Sequence, residues 1–91
     1  MTNLKAKYMV YRVNSMVLDE LMEKLEADPE NEELDAFADR VYEEMWKSLD
    51  SFCEEMERFT GGEVDRKTAR KLAICPKYSD RLESLMARWA A

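Results

Sequence analysis

The sequence contains no histidine, and among its 91 residues there are only two glycines, two prolines and two cysteines. Without histidine the chain lacks Ser-His-Asp and Cys-His catalysis, the commonest general base and the commonest metal ligand. Cys53 and Cys75 alone do not complete a structural zinc site within one chain. They read as two thiols in a reducing compartment, and sequence does not set whether they approach within the ~7 Å that a disulfide requires. So little glycine and proline leaves few turns, so the elements must be few and long. No run approaches the roughly eighteen apolar residues of a membrane span. The opening Met1-Thr2-Asn3-Leu4-Lys5 has no apolar core of a signal peptide. The expectation is a soluble cytoplasmic protein with no membrane partner.

What is present is helical periodicity. Hydrophobic residues make up 46% and charged residues 37% of the chain, which suits a folded, strongly charged helical domain. Leu34, Ala38, Val41, Met45, Leu49, Phe52, Met56 and Phe59 recur at steps of three and four, the period of a helix and not of a strand. Phe37, Tyr42, Trp46 and Cys53 widen that apolar band, while Arg40, Glu43, Lys47, Asp50, Glu54 and Glu57 keep to the other side. The pattern predicts one helix over 29–60. Asp28 would be its cap and Pro29 its first residue, and Gly61-Gly62 would end it.

The first segment follows the same step through Leu4, Tyr8, Tyr11, Ser15, Leu18, Met22 and Leu25. Val10, Val13, Val17 and Leu21 form a second apolar row beside it. A helix over 3–27 is predicted, although residues 4–13 also have strand propensity and Asn14-Ser15 is a possible break. The short Asp28-Pro29 connection makes the two long helices antiparallel. In that hairpin Lys5 comes level with about residue 52. Lys5, Lys7 and Arg12 would then face Asp50, Glu54, Glu55 and Glu57. Beyond the glycines, Asp65 caps a short helix over 65–74, Cys75-Pro76 stops it, and a last helix runs over 77–90. Either Pro76 opens that helix or Asp80 caps it with Glu83. The fold class expected is all-α: a small antiparallel bundle in one domain, a long hairpin with two short C-terminal helices folded over it.

Charge is segregated. Residues 28–60 carry twelve acidic and three basic side chains, whereas 61–91 carry seven basic and four acidic, within an overall net charge of −6. The acidic helix with its aromatic flank, Asp39, Glu43, Trp46, Asp50 and Glu54, is a candidate docking surface for a basic partner protein, because fields of opposite sign speed association. Glu43–Lys47 and Glu54–Arg58 would be ordinary i,i+4 pairs on that helix. Glu20-x-x-Glu23 and Glu32-x-x-Asp35 resemble the paired acidic words of the all-helical nucleotide pyrophosphatases. They lie close together at the hairpin turn, and the preferred reading is a solvated acidic face with no metal, cofactor or catalytic residue.

In the basic segment, Arg66, Lys67, Arg70, Lys71, Lys77 and Arg81 are candidate nucleic-acid contacts. The layout of helix, short turn and helix from Thr68 to Trp89 resembles a helix-turn-helix DNA reader. Asp80 and Glu83 stand where such a helix would read bases, and the usual turn glycine is absent. The aromatic residues Tyr8, Tyr11, Tyr42, Trp46, Phe52, Phe59, Tyr78 and Trp89 all sit on apolar stripes and are expected in the core. The long helix nevertheless has more apolar circumference than one neighbour covers. Some of Phe37, Tyr42, Met45, Trp46 and Leu49 would stay exposed, and a homodimer through this helix would cover them. The functional expectation is a non-enzymatic binding protein, a small acidic regulator or inhibitor of a basic, nucleic-acid-handling partner, of a kind common among phage and mobile-element products. A DNA- or RNA-binding module, or a structural dimerisation domain, is the alternative.

Overall fold

The computed structural model describes residues 3–90, with side chains from Leu4 to Arg88. The chain is an all-α bundle. Its order is α1 (Asn3–Ala27), α2 (Glu32–Phe59), α3 (Arg66–Ile74), a 3₁₀ turn over Pro76–Tyr78, and α4 (Ser79–Ala90). No described residue is in a strand. Helix α1 runs unbroken through Asn14-Ser15, because Asn14 does not cap. Its side chain instead reaches across the hairpin, where Nδ2 donates to Ser48 Oγ at 3.4 Å.

The hairpin turn differs from the expected one. Asn31, not Asp28, caps α2: its Oδ1 accepts from the Leu34 amide at 3.0 Å. Asp28 instead begins a tight turn in which its carbonyl accepts from the Asn31 amide at 3.2 Å. Pro29 takes the second position of that turn, which its fixed φ favours, so it lies outside the helix. Glu32, Glu33 and Asp35 occupy the first turn of α2, at the positive end of its dipole.

The later start of α2 shifts the register. Lys7 Nζ lies 3.4 Å from Glu55 Oε2, and Asn14 meets Ser48, so Lys5 comes level with residue 57 and not 52. Charges of opposite sign still face each other, and Lys7 with Glu55 is one pair from the two sets expected to meet. Glu55 is the junction, buried between Lys7 and Arg58. Among the described residues of α2 the helical ion pairs are Glu44–Lys47 and Glu55–Arg58, three apart, in place of the expected Glu43–Lys47 and Glu54–Arg58.

At the far end of α2 the two glycines do what no other residue does cheaply. Gly61 and Gly62 have φ of 64° and 89°. The Gly62 amide donates to Glu57 O at 2.8 Å and the Gly61 amide to Arg58 O at 3.3 Å, satisfying carbonyls the helix leaves open. Thr60 Oγ1 donates to Met56 O at 2.9 Å and accepts from the Val64 amide at 3.0 Å, which folds the chain back. Asp65 then caps α3, its Oδ1 accepting from the Thr68 amide at 2.7 Å. At the next junction Pro76 opens the 3₁₀ turn that feeds α4.

The core sits at one end. Leu4, Tyr8 and Tyr11 of α1 meet Leu49, Phe52, Cys53 and Met56 of α2, with Ala69, Leu72 and Ala73 of α3 and Leu82 and Met86 of α4 closing over them. Tyr8 packs on Phe52 with ring centroids 5.3 Å apart. Burying each large side chain here contributes about 1.5–3 kcal/mol. Towards the hairpin tip, only Leu21 and Ala38 are buried hydrophobics between Tyr11 and Leu49 among the described residues. That half is a bare two-helix finger. The shape follows: extents are 46 × 24 × 21 Å and the radius of gyration is 14.8 Å, against about 12 Å for a compact domain of this length.

Several apolar side chains lie away from where periodicity put them. Tyr42 and Phe59 are exposed, although their stripe suggested core. Of the second row on α1, Leu21 is buried and Val17 half-buried, but Val10 and Val13 are exposed. A helix covered on one side buries one row only, and Leu4, Tyr8 and Tyr11 take that place. Met9, Val13 and Met16 form a stripe on the opposite side of α1, each more than half exposed. The side chain of Trp89 lies outside the described residues.

Candidate interaction surface

The outer face of α2 carries the acidic set. Asp39, Tyr42, Trp46 and Asp50 follow at three- and four-residue steps, with Glu43 four after Asp39 and three before Trp46, so they form one ridge. Tyr42 is 50% exposed and meets Trp46 edge-on, with ring centroids 6.0 Å apart. Asp39, Glu43 and Glu54 are exposed, and among the described residues none is within ion-pair distance of a cation. The stripe of Tyr42 suggests core, whereas the surplus apolar width of the long helix suggests exposure, and the ring is exposed. Its position three residues after Asp39 and four before Trp46 is the signal that places it on the ridge.

The lower end of the ridge is already occupied. Arg70 of α3 lays its guanidinium 4.8 Å from the centroid of Trp46 and brings Nη1 within 3.8 Å of Asp50 Oδ1. Both partners of the ion pair are at least half exposed, so it stabilises the fold by no more than ~1 kcal/mol. One turn earlier in α3, Arg66 binds Glu57 twice, its backbone amide donating to Oε2 at 3.0 Å and its Nε to Oε1 at 3.3 Å. The basic segment and the acidic helix therefore touch, as a patch that balances the acidic helix would.

The basic set divides along the helical repeat of α3. Arg66 and Arg70 turn to α2. Lys67 and Lys71 stand on the adjacent face and, with Arg81 of α4, border a cleft between the two short helices. Lys77 sits 5.0 Å above the ring of Tyr78. Of the long helix's expected exposed residues, Phe37 and Tyr42 are exposed, Met45 and Trp46 half-buried, and Leu49 fully buried.

Titration follows burial. Cys53, beneath the ridge, is pushed up to about 11, first by loss of water, then by the nearby Asp50 and against the pull of Arg70. Tyr8 and Tyr11 are raised from their ordinary value, chiefly by burial. Asp65 is lowered, first by the hydrogen bond from the Thr68 backbone. Neither cysteine is in a disulfide. Among the described residues no three His, Cys, Asp or Glu side chains converge as a metal site, and no helix is long and apolar enough to cross a membrane.

These features define a small antiparallel helical bundle with an acidic aromatic ridge on its long second helix and a basic cleft between its short ones. Comparison of the chain with protein families, curated proteins and solved structures found no match.

Proposed function

We propose that the chain is a non-enzymatic binding protein, an acidic regulator or inhibitor that docks the α2 ridge onto a basic, nucleic-acid-handling partner protein in the cytoplasm. The observation that carries this reading is Asp39 and Glu43, exposed and without an internal cation, flanking the half-exposed Tyr42 ring. Interfaces favour such aromatics, and carboxylates beside them select a basic partner. Arg70 illustrates the chemistry from within the molecule: a guanidinium lies over Trp46 and beside Asp50. A partner's arginine on Tyr42, between Asp39 and Glu43, would repeat that contact one step nearer the tip.

The test is charge reversal. The paired change Asp39→Lys and Glu43→Lys abolishes binding to a basic partner identified from the native host, while Lys67→Glu with Lys71→Glu leaves it intact. The opposite pattern, with wild-type affinity for duplex DNA falling steeply as salt rises, replaces this reading with nucleic-acid binding.

A further inference from the structure

The cations that α2 does not take up converge on a concavity. Lys67 and Lys71, one helical turn apart on α3, and Arg81, near the start of α4, line a cleft of about 480 Å³. Its floor is apolar: Val64 and Leu72 are buried, Tyr78 and Leu85 half-buried. Among the described lining residues Glu63 is the one carboxylate, and Thr68 adds a hydroxyl. None of the three cations is within ion-pair distance of a carboxylate among the described residues. Lys67 acts on Asp65 only at longer range, as a minor cause of that group's lowered pKa.

We propose that this cleft binds an aromatic phosphomonoester. The reading is independent of the α2 ridge. Size is the first argument, since ligand sites fall at roughly 300–1,000 Å³. Charge is the second. Three cations against Glu63 leave two positive charges over in the lining, and a phosphomonoester at neutral pH carries about −1.5 to −2. A monocarboxylate would leave part of that charge unmatched. Lys77, held over Tyr78 just beside the cleft, adds further positive potential and favours the doubly ionised form. Geometry is the third. Lys67 and Lys71 approach from one helix and Arg81 from another, so point charges and a planar fork act on a tetrahedral group from different sides. The apolar floor then receives the ring.

The location is notable against the charge of the whole chain. Acidic side chains outnumber basic ones by 20 to 14, and α2 neutralises Arg66 and Arg70 from the same short helix. Three cations facing one concavity against the single carboxylate of Glu63 in its described lining are thus not a consequence of excess base.

The experiment is a titration of the full, isotope-labelled chain followed by amide chemical shifts, with phenyl phosphate, phenol and inorganic phosphate as probes. Phenyl phosphate shifts the amides of Lys67, Thr68, Lys71, Tyr78 and Arg81 saturably, and binds about ten-fold more tightly than either fragment probe. Arg81→Ala and Lys71→Ala each weaken it about ten-fold, the loss expected for a hydrogen bond to a charged group. Circular dichroism checks that both variants fold, and the wild-type titration decides the matter without them. Shifts that do not saturate, that spread equally to Arg66 and Arg70, or that inorganic phosphate alone reproduces at equal affinity overturn the proposal. So does a single-stranded oligonucleotide that binds more tightly than phenyl phosphate, which would assign the cleft to nucleic acid.

Discussion

Arg70 and Trp46 are joined across the α2–α3 junction, the guanidinium carbon 4.8 Å from the indole centroid, with Asp50 beside them at 3.8 Å. Removing the cation in Arg70→Ala is expected to lower stability by about 0.5–1 kcal/mol. It should also move the emission of Trp46 to longer wavelength as water reaches the ring. Denaturant unfolding and fluorescence in a Trp89→Phe background, where Trp46 is the remaining tryptophan, measure both. Unchanged emission would show that the contact does not hold in solution.

Glu55 is the buried anion of the hairpin, taking Lys7 from α1 and Arg58 from its own helix. Its loss leaves both cations without that partner, but each has access to water, so the penalty is discounted from that of a fully buried pair. Glu55→Ala is expected to lower unfolding free energy by about 1 kcal/mol. Asp39→Ala, with no partner to strand, should stay within about 0.5 kcal/mol of wild type. Urea denaturation of the two variants separates these outcomes.

The core is one-sided, and truncation should report it. Phe52→Ala removes a side chain with no exposed surface and is expected to cost about 3–5 kcal/mol. Phe37→Ala, at 45% exposure near the tip, should cost about 1 kcal/mol or less. Equal losses would mean that the finger is packed as tightly as the base.

The two thiols should differ in reactivity. Cys53 is buried and held protonated by a pKa of about 11, whereas Cys75 is partly exposed at the C-cap of α3. Thiolate is the reactive species. At pH 8 a thiol reagent should modify Cys75 first, and Cys53 only at the rate of unfolding. Mass spectrometry of the labelled chain assigns the order.

Alkaline pH should destabilise the fold through the same base of the bundle. Tyr8 and Tyr11 ionise above their ordinary value of 10.0 because burial disfavours the phenolate. Cys53 moves from 9.0 to about 11. A group whose folded pKa is raised contributes stability that is present below its unfolded pKa and lost as pH rises through the folded one. Stability should therefore begin to fall above about pH 9, first through Cys53 and then through the tyrosines. Cys53→Ala should remove the earliest part of that decline, as followed by unfolding at successive pH values.

Much of the fold is legible in the sequence because helical period and breakers act locally. Asp65, Gly61 and Pro76 each work within a few residues, and each acts in the structure at the junction expected of it. The hairpin turn is not legible in this way, because Asp28 and Asn31 are both competent caps and Pro29 suits either a helix start or a tight turn. Only the hydrogen bond from Leu34 to Asn31 decides. Exposure was less legible. Val13 and Tyr8 look alike in a pattern, and which row of α1 is buried depends on where α3 and α4 fold back. On the ridge, Asp39 and Glu43 stand where their spacing put them, but Asp50 is taken by Arg70, and no local rule pairs residues twenty positions apart.

The bare finger at the hairpin end has a consequence for how this protein can change. Residues near the base are bound to one another by shared packing, so substitution there is expensive. Those around Phe37, Asp39 and Tyr42 have only neighbours on their own helix, Arg40 over Phe37 and Trp46 against Tyr42, among the ring contacts of the described residues. That end of the hairpin is therefore free to be rewritten for whatever it must grip, while the anchored end keeps the chain folded.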